Sequence, residues 1–281
     1  MDDPAGRRTL TAGSSPLGPD GLDATLVLVR HGESTFIAEG RFQGQADSPL
    51  TPHGVRQAEL VARRLAQPHA APALPLPTGD LVELVHSPLS RTTQTAESIE
   101  RAITGAGRPV ARRSDPGFLE IHQGAWQGLH RDEIAARFGA ELAAWRRAPL
   151  EGWAPGGESL PEVQARLRPA LTTLLARLGQ GREPGTLDRP QVAGYRDVRP
   201  DHPWSIVAGH DGIFKVALLT IFDLPLERFW MWTMDLCGIA IIEFRAGRPV
   251  VRAHNLTDHL ADLADERSLE SIAARSQSGA L

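Results

Sequence analysis

Cysteine is nearly absent: of 281 residues only Cys237 carries a thiol. An intrachain disulfide is thereby excluded, which fits a reducing compartment. Cys237 lies in Asp235-Leu-Cys-Gly-Ile-Ala-Ile-Ile242, an apolar, strand-like run, and reads as a small buried side chain rather than a nucleophile. The chain also lacks any apolar run near the roughly 18 residues of a membrane span. Its start lacks the basic and then apolar pattern of a secretory signal. Excess charge is absent too. Thirty basic residues face 34 acidic ones, a net −4, which argues against bulk attraction to nucleic acid or an acidic membrane. Any anion site must be local, built from a few arginines. No internal repeat is visible. These absences point to a cytoplasmic protein, with neither nucleic acid nor membrane as partner.

What is present is an alternation of short apolar runs and amphipathic stretches. Residues 1–23, rich in Gly, Ser, Pro and Asp, read as a disordered arm. Ala24-Thr-Leu-Val-Leu-Val29 reads as a strand buried on both faces, as in a parallel sheet. Thr51-Pro52 opens a helix to about residue 65, with Thr51 as cap and Pro52 at the first helical position. Leu81–His86 is a second strand, Ser90 to about Ile103 a second helix, and Val110 starts a third, shorter strand. Residues 131–145 are helical but broken at Gly139. Glu158–Leu178 repeats apolar residues at spacings of three and four. Residues 179–203 hold Gly and Pro and little apolar content, an insertion read as a loop or lid. Trp204–Ala208 is a buried strand followed by a helix over 213–221. Residues 239–244 and 250–253 form a hairpin turned by Ala246-Gly247-Arg248, and 263–281 is a polar tail. The expectation is an α/β domain over 24–262, three layers with a mostly parallel central sheet.

Ligands in such sheets bind beyond the carboxyl ends of the strands. Three strands here end in polar clusters: Arg30-His31-Gly32-Glu33-Ser34, His86-Ser87-Pro88-Leu89-Ser90-Arg91 and Gly209-His210-Asp211-Gly212. Taken singly, a His-Gly pair is usually a turn and an arginine at a helix start a solvated charge. Together they make one kind of chemical sense. Two guanidinium forks can grip a phosphomonoester dianion, the helix starting near Ser90 adds backbone donors, and a neutral imidazole can attack phosphorus. A second histidine can donate to the oxygens as charge shifts. Arginines in that role make a metal or other cofactor unnecessary.

Leu28-Val29-Arg30-His31-Gly32-Glu33-Ser34 resembles the signature of the histidine phosphatase superfamily, the phosphoglycerate mutase-like fold. Gly44–Thr51, Gly54–Ala58, Ser87–Ala96 and Ala208–Gly212 resemble its further blocks, in family order. The resemblance implies His31 as phosphorylated nucleophile, with Arg30, Arg91 and His210 around the phosphate. Phe118–Gly128 resembles the family's acid segment, which makes Glu120 the proton donor to the leaving oxygen. Where many members carry Asn, this chain has Ile37; Ser34 and Gln43 are the candidate replacements. Gly44 and Asp211 complete the expected substrate contacts, Asp211 through a helix cap or its backbone N–H.

Hydrolysis of a small-molecule phosphomonoester is the favoured reading. Mutases of the family carry an Arg-His-Tyr-Gly type segment after the glutamate, whereas Ile121-His-Gln-Gly-Ala-Trp-Gln-Gly128 resembles the phosphatase branch. A phosphoglycerate mutase-type transferase is the alternative, and a non-catalytic phospholigand-binding module a third reading. Substrate choice is expected in 36–47, 121–158 and 179–203, with Arg41, Arg131, Arg146 and Trp153 as contacts. The hairpin offers an edge for a homodimer. His254 and His259 are too far apart on a helix to pair as metal ligands.

Overall fold

The computed structural model describes residues 17–185 and 201–263. A six-stranded sheet is its centre, in the order β3-β2-β4-β1-β5-β6. The strands are β1 (Ala24–Arg30), β2 (Leu81–His86), β3 (Ala111–Ser114), β4 (Trp204–Gly209), β5 (Ile239–Arg245) and β6 (Arg248–Leu256). The first four run parallel, while β5 lies antiparallel to β1 and β6 antiparallel to β5. The α/β architecture and the mostly parallel sheet expected from the sequence are present.

Alternation along the central strands divides the core. Leu26 and Leu28 of β1, Val207 of β4 and Ile242 of β5 enter one apolar cluster. Val27 and Val29, Ile206 and Ala208, and Ile239 and Ile241 enter the other. A strand with apolar residues on both faces must be covered on both. After α1 (Thr35–Ala38), a single turn beyond β1, one cover is α2 (Pro52–Ala66) with α3 (Ser90–Gly105), through Val61, Leu65, Ile99 and Ile103. The other is α5 (Leu160–Gly179) and α6 (Asp211–Ile221), joined by Ile134, Leu142 and Trp145 of α4 (Arg131–Arg147). Thr51 caps α2, its Oγ accepting from Gly54 N–H at 3.0 Å. The break foreseen at Gly139 falls at Phe138 (φ −136°). Burial, and after it the charge of Arg131 at the other end of the bent α4, lowers the pKa of Arg146.

Several boundaries differ from the sequence reading. Residues 17–23, assigned there to the arm, pack on the domain: Leu22 is buried, and a Cβ on Gly18 would lie 3.2 Å from Leu175. Residues 1–16, 186–200 and 264–281 lie outside the described residues, and with them most of the foreseen arm, insertion and tail. Cys237 precedes β5 in a turn, at φ +55°, and is buried. Its N–H donates to Arg30 O at 3.1 Å and His31 O at 3.3 Å, so its place is backbone support. The hairpin turn has positive φ at Ala246 (47°) and Gly247 (78°), as a two-residue turn matched to strand twist requires.

Sheet order positions the functional residues. Because β4 lies between β1 and β2, the three polar strand ends are neighbours. Arg30 pairs with Gly209, and His86 with Ala208. The ladder runs on past the strands: His31 N–H donates to Gly209 O at 3.0 Å, and Ser87 N–H to Ala208 O at 3.1 Å.

Candidate active site

His31 is buried, and its Nδ1 lies 2.6 Å from Gly32 O. A carbonyl only accepts, so Nδ1 carries the hydrogen and the Nε2 lone pair is left for attack. Burial, followed by the charges of Arg91 and Arg30, holds His31 well below the usual imidazole range. The ring is neutral at neutral pH, as a nucleophile must be. The loop beneath it is fixed by close backbone contact with α2. A Cβ on Gly32 would sit 2.4 Å from Gly54 O, and one on Gly54 1.9 Å from Glu33 O. Gln57 Oε1 accepts from Glu33 N–H at 2.8 Å, and Thr95 Oγ from Gly32 N–H at 3.2 Å.

His210 meets His31 edge-on, with ring centroids 5.1 Å apart. Arg91 Nε donates to its Nδ1 at 3.3 Å, which leaves Nε2–H to donate to Ser87 Oγ at 2.9 Å. The sequence reading made His210 a spare donor. In this arrangement both nitrogens are engaged, and burial plus Arg91 keeps the ring neutral.

Arg91, in the first turn of α3, is fully buried. Its Nη1 donates to Ala46 O at 3.0 Å and its Nη2 to Gly44 O at 2.7 Å. Burial lowers its pKa to about 10, so it stays charged at neutral pH. Arg30 Nη1 donates to Met234 O at 2.5 Å, and Arg30 Nε is buried without a partner among the described residues. Neither arginine makes an ion pair within 4 Å among those residues. The two cations thus stand together without a direct ion pair, and Arg91 feels the charges of Glu120 and Asp47 only at longer range.

Glu120 is buried, and three N–H groups hold its carboxyl. Ile121 (2.9 Å) and Ile213 (2.9 Å) donate to Oε1, and Gly212 (3.1 Å) donates to Oε2. The last two are the opening amides of α6. Burial raises its pKa; the Ile121 bond opposes that, Asp211 adds to it, and the net shift is upward. A carboxyl that retains its proton can act as an acid.

The remaining expected contacts sort differently. Ser34 Oγ donates to Gln43 Oε1 at 2.5 Å, which leaves the Gln43 amide N–H groups for another acceptor. Gly44, at φ +52°, offers Arg91 a carbonyl rather than an amide. The Asp211 carboxylate is already engaged within the protein. That group pairs with Lys215 Nζ at 2.6 Å and accepts from Met234 N–H at 2.8 Å, while His210 occupies the cap position of α6. The first amide of α3 is also spent: Asp47 accepts from Ser90 N–H at 2.8 Å and from Ser90 Oγ at 2.5 Å. Arg41 Nη1 donates to Gly128 O at 2.7 Å and Trp153 is 41% exposed. His254 and His259 each bond a different backbone carbonyl, of Thr233 and Cys237. Sequence reasoning missed Ser87, Thr95 and Asp47 as partners of the site, although all three lie in the motif blocks it singled out.

Residues 26–257 match the histidine phosphatase superfamily (branch 1). The chain belongs to that superfamily. It is 27% identical over 240 residues to phosphoserine phosphatase 1 of Hydrogenobacter thermophilus, covering 84% of this chain and 94% of that one. Against a probable phosphoglycerate mutase of Proteus mirabilis it is 28% identical over 246 residues, covering 84% and 95%. Among solved structures, mycobacterial glucosyl-3-phosphoglycerate phosphatase in complex with VO3 superposes with a TM-score of 0.64 at 26% identity, covering 83% of this chain and all of that one. Phosphatases and mutases both stand among the relatives, so membership establishes a phosphoryl-transfer superfamily. Among the described residues no helix is long and apolar enough to cross a membrane.

Proposed function

We propose that the protein is a phosphomonoester hydrolase that works through a phosphohistidine at His31, with Glu120 as general acid. The observation that carries this reading is the pairing of a neutral, buried His31, its Nδ1 hydrogen given to Gly32, with a buried carboxyl whose pKa is raised. A nucleophile without its proton and a carboxyl whose hold on a proton is strengthened stand beside two cations that make no direct ion pair among the described residues.

The substrate dianion enters as the missing partner of Arg30 and Arg91, whose guanidiniums suit phosphate oxygens. His31 Nε2 attacks phosphorus, a P–N bond forms and the ester P–O bond breaks. The Glu120 proton passes to the leaving oxygen, so an alcohol departs rather than an alkoxide. In the second half a water attacks the phosphohistidine, Glu120 takes its proton, and the P–N bond breaks to release phosphate. Arg91, oriented by His210 through the Nε–Nδ1 bond, and the Gln43 amide, turned by Ser34, steady the transferring oxygens. Arginine charge does the work that a divalent ion does in other phosphoryl transfers.

Hydrolysis is favoured over mutase chemistry because Gln123, buried beside Gly44, occupies the place of the tyrosine in mutase-type acid segments. The test is a screen over a wide phosphomonoester panel in excess EDTA, with acid quench of the enzyme. Activity is expected to survive chelation. An acid-labile, base-stable phosphoenzyme is expected in the wild type and not in His31→Ala. Activity lost to EDTA and restored by Mg²⁺ would overturn the arginine argument, and label persisting in His31→Ala would overturn the nucleophile. Phosphate transfer to added 3-phosphoglycerate exceeding release to water would favour the mutase.

A further inference from the structure

Glu120 acts from a segment without regular structure: residues 119–123 belong to no helix and no strand. Its carboxyl is held by amides, but something else must fix the backbone that carries it. The surroundings of that backbone supply the answer. Arg166, on α5, donates through Nη1 to Gly117 O at 3.0 Å and to Leu119 O at 3.1 Å, and through Nη2 to Glu120 O at 3.3 Å. The same guanidinium makes a two-pronged pair with Glu158, Nε to Oε1 and Nη2 to Oε2, both at 2.9 Å. Glu158 Oε2 then accepts from His122 N–H at 2.8 Å. The carbonyls before and at Glu120 and the amide two residues after it are all gripped by one fork-to-fork ion pair.

The pair reaches further. Gln45 Nε2 donates to Glu120 O at 2.9 Å and to Glu158 Oε2 at 3.2 Å. Gln45 lies between Gly44 and Ala46, whose carbonyls receive the Arg91 guanidinium. The loop that orients the phosphate-gripping arginine and the segment that carries the acid therefore share one carboxylate.

We propose that Arg166 and Glu158 are positioning residues for the general acid: they set where the Glu120 carboxyl stands relative to the phosphate held at Arg91. This rests on the reading of Glu120 as proton donor. Neither residue touches the reacting atoms; both side chains keep 22% of their surface exposed. The pair is two-pronged and only partly exposed, which holds both side chains in one orientation. Its consequence lies in geometry, since a displacement of about 1 Å in a reacting group can cost on the order of 10²-fold in rate.

Leaving-group chemistry isolates this role. A proton from Glu120 matters for a basic alkoxide and hardly at all for an acidic phenolate. Wild type, Glu120→Gln, Arg166→Met, Arg166→Lys, Glu158→Gln and the double variant Arg166→Met/Glu120→Gln are assayed on glycerol 2-phosphate and on 2,4-dinitrophenyl phosphate. Arg166→Met is expected to lose about 10²-fold in kcat/KM on the alkyl ester and less than tenfold on the aryl ester. Glu158→Gln should show the same selectivity more weakly, and Arg166→Lys should recover part of the loss. In the Glu120→Gln background Arg166→Met should cost almost nothing more on the alkyl ester, because residues acting through one group are not additive. Equal loss on both esters, or an undiminished cost in that background, overturns the positioning role while leaving the acid in place. Glu120→Gln without leaving-group selectivity overturns the acid, and the positioning role with it. If Arg166→Met fails to fold, Glu158→Gln and Arg166→Lys carry the same comparison.

Discussion

Replacing Arg91 by lysine keeps the charge and removes the fork, and the structure predicts two separable costs. The guanidinium donates in three directions, to His210 Nδ1, Ala46 O and Gly44 O, from a fully buried position. A lysine ammonium is a point charge on a flexible stem and cannot meet all three. At least two buried acceptors lose their donor, at about 1–3 kcal/mol each, or roughly 2–6 kcal/mol of stability. For a chain of this size 1 kcal/mol is about 2–4 °C in Tm, so the melt should fall by at least about 4 °C. The activity cost is separate. Two charge-assisted bonds to phosphate, at about 1.5–3 kcal/mol each, give roughly 3–6 kcal/mol, which is on the order of 10²–10⁴ in kcat/KM. Thermal melts with and without saturating vanadate, beside steady-state kinetics on one alkyl phosphate, measure both. Vanadate should raise Tm in the wild type and much less in Arg91→Lys, since a ligand stabilises only the state that binds it. A variant that melts within 2 °C of wild type and keeps kcat/KM within about tenfold would refute the reasoning from buried, fork-shaped donation.

Asp211→Asn keeps an acceptor for Met234 N–H and removes a negative neighbour that helps to raise the Glu120 pKa. Glu120 should then lose its proton at lower pH, and the alkaline limb of the pH–rate profile should move down; a limb that stays put contradicts the assignment. The acid limb, set by protonation of His31, should lie below the ordinary imidazole range, and midpoints from kcat/KM against pH test this. Gly54→Ala forces a Cβ to within 1.9 Å of Glu33 O and should lower stability by more than about 3 kcal/mol. Gly139→Ala, where a Cβ meets nothing within 4 Å, should instead raise stability by about 0.4–1 kcal/mol. Urea unfolding midpoints that fail to separate the two variants would show that the backbone contact under His31 yields easily.

Local patterns made most of the fold legible. Thr51-Pro52 sets the start of α2, and the apolar runs at 24–29, 81–86 and 204–208 are β1, β2 and β4 within a residue or so. Sheet order was not readable, because a run buried on both faces carries no mark of its neighbours. Yet that order makes β4 the bridge between His31 and Ser87. The candidate site was legible where the proposed chemistry requires a residue type, at His31, Arg91, His210 and Glu120. It was not legible where the protein spends a donor on itself. Nothing in Gly209-His-Asp-Gly212 reveals that the amides of Gly212 and Ile213 serve Glu120, or that Asp211 is taken by Lys215. Glu158 read only as the start of a helical stretch, because its partners lie on segments distant in sequence.

The arginines divide by what they are bonded to, and that division carries functional meaning. Arg113 holds Glu83 and Asp115, Arg112 holds Glu100, and Arg166 holds Glu158. Each has its charge neutralised by a carboxylate, and such a pair has little left for an incoming anion. Arg91 bonds two carbonyls and a neutral imidazole, and Arg30 a carbonyl. Those partners fix the direction of the guanidinium, and the charges of Glu120 and Asp47 reach Arg91 without a direct ion pair. A carboxylate in place of those partners would make the empty protein more comfortable and would repel a phosphate dianion. Burying an uncompensated cation is costly for a fold, so the arrangement makes sense if the counter-ion is the substrate. The same logic explains the neutral histidines. On the proposed mechanism two positive guanidiniums meet the dianion, and a third cation at His31 would remove the lone pair that the attack needs. On that mechanism, charge is placed on the groups proposed to hold phosphate and kept off the group proposed to attack it.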